Sequence, residues 1–232
     1  MVQERLKQEF NAANGQVPLL ESGDRLTRPE FERRYTAATH IKKAELIEGI
    51  VYVASPARHP QHGKPHSRVT TWLGVYQALT PGVDLSVEPT VRLDLDNEPQ
   101  PDAVLFIEPD AGGQTRLSSD GYIEGSPELI VEIAASSASI DRGSKKQAYR
   151  RNGVLEYVVW QSYENQIEWF VLSEGDYQLL APDSDSIIRS RVFPGLWLAV
   201  EALLSNQMAQ VLEVVQRGVR SPEHRAFVER LN

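Results

Sequence analysis

Two carboxylates interrupt stretches of sequence that otherwise have the composition of buried β-strands. Asp102 opens the apolar run at 103–107, and Glu132 lies inside the apolar run at 129–134. Near-continuous apolar strands are usually covered on both faces, and burial of a bare carboxylate costs several kcal/mol. Each acid must therefore be neutral, paired or bound to a cation, unless it lies at a strand end in solvent. On neighbouring strands the two acids could share one divalent metal ion through oxygen ligands.

A lysine follows the Glu132 run on a segment with helical character. The stretch from Ile140 to Asn152 predicts a short helix that Gly153 ends, and Lys145 lies on it. A lysine near a metal-bound water can orient that water, help it lose a proton and stabilise phosphate charge. Alternatively, Asp141 and Lys145 form an i, i+4 ion pair worth about 0.3 kcal/mol on an exposed helix. The residues alone leave both interpretations open.

Two histidines, His62 and His66, have the spacing of zinc ligands on a helix. No glutamate follows His62, the chain has no cysteine, and Pro65 interrupts the spacing, so we do not predict a zinc site here. His62 lies at the start of a predicted helix near the acids and is a candidate for contacting a substrate phosphate. The alternative is an exposed polar residue that caps the helix.

The composition is that of an ordinary globular protein. The chain has 232 residues, of which 41% are hydrophobic and 24% charged, and without cysteine it can form neither disulfides nor thiolate metal sites. The first residues are charged and lack the apolar core of a secretory signal, and no apolar run approaches the length of a membrane span. The expectation is a cytoplasmic protein without membrane contact.

Charge is unevenly distributed along the chain. The net charge of −8 argues mildly against a protein that coats nucleic acid non-specifically. Acidic residues predominate from Asp84 to Glu132, whereas basic residues predominate from Arg25 to Arg68 and from Asp141 to Arg151. This pattern suits a carboxylate metal site framed by surfaces that contact phosphates. On charge alone, an uneven but ordinary solvated surface is the favoured explanation of the same pattern.

The elements that must position these residues alternate between strands and helices. Thr27 and Glu30 predict a capping box at a helix start, with Leu26 and Phe31 as a hydrophobic staple. Alternation and apolar periodicity predict the other elements. The predicted helices lie at 27–35, 61–79, 140–152 and 200–215. Residues 45–53 predict either a strand pair around Gly49 or one strand with a bulge. The other predicted strands lie at 83–88, 91–95, 101–107, 128–134, 154–160 and 166–172, followed by later short strands that end at 193–198, and 108–126 is predicted as a long loop.

Several segments, taken in order, resemble the Uma-type restriction endonuclease family, a bacterial branch of the PD-(D/E)xK nuclease superfamily. They are Glu45–Gly49 with His62, Pro101-Asp102, Pro127–Ile133, Asp141–Tyr149, Gly153–Val159 and Phe193–Leu196. The resemblance spans about residues 26 to 204. It predicts an N-terminal appendage at 1–25, a nuclease domain at 26–204 and a C-terminal helical tail at 205–232.

The resemblance implies an α+β fold of the restriction-endonuclease type, with a mixed β-sheet flanked by helices and additional β-hairpins. It also implies a Mg²⁺ or Mn²⁺ cofactor and hydrolysis of DNA phosphodiester bonds. Asp102 corresponds to the metal-binding aspartate, Glu132 to the second acid and Glu45 to the N-terminal acid. In the superfamily's usual pattern a lysine lies two residues after the second acid, but here that position, two residues after Glu132, is Ala134. Lys145, on the next helix, takes its place.

Other side chains of that helix become candidates for substrate contact. Tyr149 lies one turn beyond Lys145 and would share its face. Arg142 and Lys146 align with Arg150 in a basic row, which predicts a solvent face available to DNA phosphates. Three hypotheses remain: an active metal-dependent endonuclease, a nuclease fold that binds DNA or a protein partner without cutting, and an unrelated β-rich binding protein with structural acids.

The last predicted helix has an apolar face. Its members are Leu203, Leu204, Met208, Val211, Leu212 and Val215. Because cutting two DNA strands commonly needs two active sites, this face predicts a homodimer. The alternative is that the face covers the chain's own sheet.

Overall fold

The computed structural model describes residues 17–54, 58–135 and 138–231, so the predicted appendage at 1–25 lies largely outside the described residues. The helices are α1 Arg28–Ala37, α2 Lys64–Ala78, α3 Ala138–Ile140, α4 Lys146–Asn152, α5 Val200–Leu204, α6 Met208–Gly218 and α7 Pro222–Leu231. Single π-helical turns at His59–Gly63 and Asp141–Lys145 lead into α2 and α4, and Pro109–Ala111 forms a 3₁₀ turn.

The strands are β1 Ala44–Ile47, β2 Ile50–Val53, β3 Val83–Val87, β4 Val91–Arg92, β5 Ala103–Ile107, β6 Arg116–Leu117, β7 Ile123–Glu124, β8 Leu129–Ala134, β9 Glu156–Gln161, β10 Gln166–Ser173, β11 Asp176–Leu179, β12 Ile187–Arg189 and β13 Trp197–Ala199. Six of them form the central sheet in the order β11-β10-β9-β8-β5-β3. Only β8 and β9 of this sheet pair in parallel. The predicted mixed sheet flanked by helices is confirmed.

The middle strands β8 and β9 are buried along their whole length because helices or smaller sheets cover both faces. One face packs against α2, α6 and α7 in the larger core cluster. The other face packs against Tyr149 of α4 in a smaller cluster. The hairpin β1–β2 and helix α1 form a third cluster around Phe31 and Leu46. The hairpin around Gly49 is confirmed, and Gly49 takes a positive φ of 69° at its turn.

Some local predictions are wrong. Thr27 precedes α1, but its side chain makes no capping hydrogen bond. Glu30 instead accepts hydrogen bonds from the guanidinium groups of Arg33 and Arg34 at 2.7 and 2.6 Å, so no capping box forms. The strand predicted at 91–95 ends at Arg92, and the loop predicted at 108–126 contains β6 and β7.

The predicted C-terminal helix is two helices. Helix α5 ends at Leu204, Asn206 takes a left-handed φ of 62°, and α6 begins at Met208. Val211 and Val215 are fully buried in the chain's own core, where α6 packs against α2 and β13. The apolar face therefore covers the chain's own core, which removes the structural reason for a homodimer. In the described part of the chain, no helix is long and apolar enough to cross a membrane.

A partly buried charge network joins α1 to the small sheet β4-β7-β6. Arg92 lies 2.9 Å from a Glu32 oxygen and 2.9 Å from an Asp120 oxygen, with Glu98 at 3.9 Å. Burial, followed by the neighbouring Glu32 carboxylate, raises the pKa of Glu98 to about 8 from its ordinary value of 4.5. The folded protein therefore holds a proton on Glu98 at pH values where the unfolded chain has lost it.

We expect Glu98 to make the free energy of unfolding fall as the pH rises from about 4.5 to about 8, because the folded state binds more protons than the unfolded state in that window. The substitution Glu98→Gln should flatten this fall. Urea denaturation of both proteins between about pH 5 and about pH 9 measures it. Glu213→Gln, on an exposed position of α6, serves as the control and should keep the wild-type slope. Parallel profiles for wild type and Glu98→Gln would contradict the expectation.

Candidate active site

Strand register brings the two predicted acids together. In the antiparallel pair β5–β8, Val104 lies opposite Ile130 and Ala103 opposite Val131. One residue further along the same register, Asp102 faces Glu132. Because side chains alternate between the faces of a strand, both acids point to the face that α4 covers. They are almost completely buried, with 3% of Asp102 and 4% of Glu132 exposed.

Asp102 is held from two sides. Its Oδ2 accepts a hydrogen bond of 2.6 Å from the backbone N–H of Ile133, and its Oδ1 lies 2.9 Å from His62 Nε2. Burial opposes ionisation of Asp102, but the His62 ring and the Ile133 N–H outweigh burial and lower its pKa. The same contact with Asp102 raises the pKa of His62. Asp102 therefore loses its proton more readily than an ordinary aspartate, although it is buried.

Glu132 receives two donors on one oxygen. Its Oε1 lies 3.0 Å from Lys145 Nζ and accepts a hydrogen bond of 2.7 Å from the Tyr149 hydroxyl. Burial raises the pKa of Glu132 to about 8, against the opposing effect of Lys145 and with a further contribution from the Asp141 and Asp102 carboxylates. Glu132 consequently holds a proton far more readily than Asp102 does.

Lys145 is buried among acids, with 4% of its surface exposed. Its Nζ lies 2.8 Å from Glu45 Oε1, 3.0 Å from Glu132 Oε1 and 3.5 Å from Asp141 Oδ1. Burial would lower the pKa of Lys145, but the carboxylates outweigh it and raise that pKa well above its ordinary value. The Asp141–Lys145 pair proposed from sequence does form, but inside a buried cluster and not on an exposed helix.

The pKa values of Glu132 and Lys145 both rise, although a simple ion pair lowers that of its acid. For Glu132 the main cause is burial, to which the neighbouring carboxylates add, whereas for Lys145 the neighbouring carboxylates outweigh burial. Glu45, Asp102, Glu132 and Asp141 surround only one buried ammonium group and the His62 ring, among the described residues. Glu132 and Lys145 therefore both bind protons more tightly than they would in water. The same excess of carboxylates over cations favours binding of an additional cation.

Two π-helical turns present His62 and Lys145 to the cluster. His62 lies in the turn His59–Gly63 before α2, and Lys145 ends the turn Asp141–Lys145 before α4. A π-turn inserts an extra residue into the helical repeat and is common at functional sites. The inserted residue rotates everything that precedes it relative to a regular helix. Sequence periodicity assumes a uniform repeat and therefore missed both turns.

A cavity of about 800 Å³ opens onto the acids. Glu45, His62, Asp102, Glu132 and Lys145, all predicted from sequence, line it together. Sequence reasoning missed the other polar residues of the wall. They are Lys43, Tyr52, Arg58, Gln61, Glu88 and Tyr163. Lys43 lies two residues before Glu45, a proximity that could have drawn attention to it; the others come together only through the fold.

The predicted substrate-binding residues of the α4 region do not line the cavity. Tyr149 is fully buried, and its hydroxyl binds Glu132, so it has no surface to offer a substrate. The Arg142 guanidinium lies 3.1 Å from Glu168, and Lys146 Nζ lies 3.4 Å from the ring centroid of Phe170. The π-turn places Arg142 outside the regular repeat of α4, so the row with Lys146 that sequence spacing predicted is interrupted.

His66 also reaches Asp102. His62, His66 and Asp102 each offer one potential ligand atom, and these atoms all lie within 4.8 Å of one another. Pro65 does not separate the two histidines, since the π-helical turn His59–Gly63 continues through Pro65 into α2. The argument from Pro65 against metal binding by these histidines was therefore wrong.

Comparisons with known proteins point to nucleases. A family model described as "Uma2: Putative restriction endonuclease" matches residues 28–201. Among solved structures, a putative nuclease belonging to DUF820 from Anabaena variabilis matches with a TM-score of 0.53 at 14% sequence identity, over 70% of this chain and 89% of that one. At that identity the likeness concerns the fold. No curated protein matches the chain.

Proposed function

The chain belongs to the Uma2 family of putative restriction endonucleases, whose model matches well over half of it, and from this premise we propose that it is a divalent-cation-dependent endonuclease that hydrolyses DNA phosphodiester bonds. The observation that carries the proposal is the excess of buried carboxylates over buried cations in a cavity that is open to solvent. An unrelated β-rich binding protein, the third hypothesis, is inconsistent with the family match.

Asp102, Glu132 and Glu45 would hold Mg²⁺ or Mn²⁺. Hard divalent cations prefer oxygen ligands, and the three carboxylates face one cavity. One atom in particular would suit a cation: Asp102 Oδ1 is buried, yet no donor among the described residues makes a well-aligned hydrogen bond to it. A buried acceptor without such a bond costs about 1–3 kcal/mol unless another partner binds it. The residues present therefore fit a divalent cation.

A bound cation would polarise a phosphate oxygen and acidify a water molecule for in-line attack. The protein's own residues would hold the reacting groups in place. Lys145, buried beside Glu45 and Glu132, would help to orient the attacking water and stabilise charge on the phosphate. Tyr149 would fix the Glu132 carboxylate, and the Ile133 N–H would fix that of Asp102. We propose Tyr149 as a positioning residue and no longer as a substrate contact.

The DNA backbone would approach through the cavity mouth. Lys43 and Arg58 line the cavity and provide positive charge there. Arg142 and Lys146 lie outside the cavity and would contact phosphates only beyond the cleavage site. Cytoplasmic location and the division into a nuclease domain at 26–204 with flanking segments are retained as proposals. The homodimer is also retained, and it now rests only on the need to cut two strands.

We expect Asp102→Asn to weaken Mn²⁺ binding at least tenfold, which corresponds to about 1.4 kcal/mol, and to abolish cleavage of plasmid DNA. The reason is that the substitution removes a carboxylate whose pKa is lowered in the metal-free site and which is therefore ready to bind a cation. Calorimetry measures the binding, and a plasmid nicking assay with Mn²⁺ measures the cleavage. Asp110→Asn, at an exposed position outside the cavity, is the matched control.

The outcomes separate the remaining hypotheses. Equal Mn²⁺ affinity in wild type and Asp102→Asn would remove Asp102 from the metal site. Metal binding without cleavage by the wild-type chain would favour the alternative, a catalytically silent nuclease fold that binds DNA or a protein partner. Absence of both metal binding and cleavage in the wild type would overturn the proposed function.

A further inference from the structure

Two histidines contact Asp102 in different ways. His62 Nε2 lies 2.9 Å from the side-chain oxygen Oδ1, whereas His66 Nε2 lies 2.9 Å from the backbone carbonyl oxygen of the same residue. The ring centroids are 5.6 Å apart, and the ring planes are inclined by 59°. The π-helical turn His59–Gly63 runs directly into α2, so that both rings reach one aspartate.

The contact made by His66 fixes its tautomer. A carbonyl oxygen can only accept a hydrogen bond, so His66 Nε2 must carry the proton. A protonated ring nitrogen has no lone pair for a metal ion. His66 Nε2 is therefore committed to the backbone of Asp102, and its effect is to hold that residue in place.

The contact made by His62 does not commit its Nε2 to a hydrogen bond in the same way. Its partner Oδ1 accepts no well-aligned hydrogen bond among the described residues, although His62 Nε2 is only 2.9 Å away. The other oxygen, Oδ2, is occupied by the Ile133 N–H. Oδ1 is therefore the oxygen of Asp102 with more lone-pair capacity left for a cation, and His62, whose Nε2 lies 2.9 Å from it, also lines the cavity.

We propose that His62 Nε2 is a direct ligand of the divalent cation that Asp102 binds, and that His66 is a positioning residue that holds the Asp102 backbone. The inference rests on the metal site of the proposed function and adds a nitrogen ligand to it. It replaces the phosphate contact expected of His62 from sequence. Because imidazole suits transition metals and Mg²⁺ prefers an all-oxygen shell, the site selects Mn²⁺ over Mg²⁺.

Pulsed electron paramagnetic resonance of bound Mn²⁺ tests the assignment without any measurement of cleavage. The experiment uses the full chain loaded with Mn²⁺ alone, in which a directly bonded imidazole nitrogen produces a ¹⁴N coupling. Wild type and His66→Ala are expected to show this coupling, and His62→Gln is expected to lose it. In calorimetry, His62→Gln should weaken Mn²⁺ binding about tenfold more than it weakens Mg²⁺ binding, because the substitution exchanges a nitrogen ligand for an amide oxygen.

Failure of this inference is distinguishable from failure of the proposed function. Tight Mn²⁺ binding by the wild type without ¹⁴N coupling would overturn the role of His62 and leave the carboxylate site intact. Coupling that survives in His62→Gln and disappears in His66→Ala would overturn the division of roles between the histidines. No Mn²⁺ binding by the wild type would overturn the metal site and the inference with it. The wild-type spectrum decides without a variant, so misfolding of His62→Gln does not affect that result.

Discussion

Replacing Lys145 with methionine is expected to abolish DNA cleavage and to lower the free energy of unfolding of the metal-free protein by about 3–5 kcal/mol. Lys145 is buried against Glu45, Glu132 and Asp141, so its removal leaves several buried carboxylates without their ammonium partner. Methionine preserves most of the side-chain volume, which limits the contribution of an empty cavity. The decrease in the free energy of unfolding would therefore come mainly from the buried carboxylates that lose their ammonium partner.

Lys146→Met is the matched control, one residue further along the chain. Lys146 is partly exposed, and its Nζ lies over the Phe170 ring, a contact worth about 0.5–1 kcal/mol at such sites. Lys146→Met should retain cleavage and lose little free energy of unfolding. Urea denaturation in EDTA and single-turnover cleavage with Mn²⁺ measure the two effects. If Lys145→Met retained wild-type cleavage and stability, neither the catalytic role nor the buried charge cluster could stand.

The substitution Glu132→Gln is expected to abolish tight Mn²⁺ binding while leaving the metal-free protein as stable as wild type, or more so, near pH 8. The pKa of Glu132 is raised to about 8, so ionising this carboxyl in the folded protein is unfavourable, and glutamine removes that cost. The amide oxygen can still accept the hydrogen bonds that Lys145 and Tyr149 donate to the acid. The substitution would therefore remove a metal ligand but keep the hydrogen bonds that stabilise the fold.

Glu156→Gln offers the contrast, because Glu156 is an equally buried acid on the adjacent strand β9. Its two oxygens accept hydrogen bonds from the Trp169 indole, the Ser190 hydroxyl and the backbone N–H of Arg191. An amide there directs an NH₂ group at donors, so Glu156→Gln should destabilise the fold and leave the metal site intact. Thermal melting with and without Mn²⁺ separates the two variants. A large loss of metal-free stability in Glu132→Gln would make Glu132 a structural ion-pair partner.

The local sequence was enough to identify the candidate site residues and the secondary-structure elements on which they lie. Asp102 and Glu132 are conspicuous because acids are rare within apolar strands, and that rarity follows from the cost of burying charge. The helix carrying Lys145 and the hairpin around Gly49 follow from short-range rules, since turn residues and periodicity act within a few positions. These features did not depend on knowing the rest of the molecule.

Only the tertiary structure decided which partner each polar group has. Tyr149 shares a helical face with Lys145 in the sequence, but whether that face meets DNA or Glu132 depends on how α4 docks on β8. The apolar spacing along α6 would be the same whether the helix packed on its own core or on a second copy of the chain. The contacts of α6 with α2 show that it packs on its own core. The convergence of His62 and His66 on Asp102 joins segments about forty residues apart through π-turn geometry and strand register. Such contacts depend on the packing of whole elements, a long-range property that spacing along one segment does not encode.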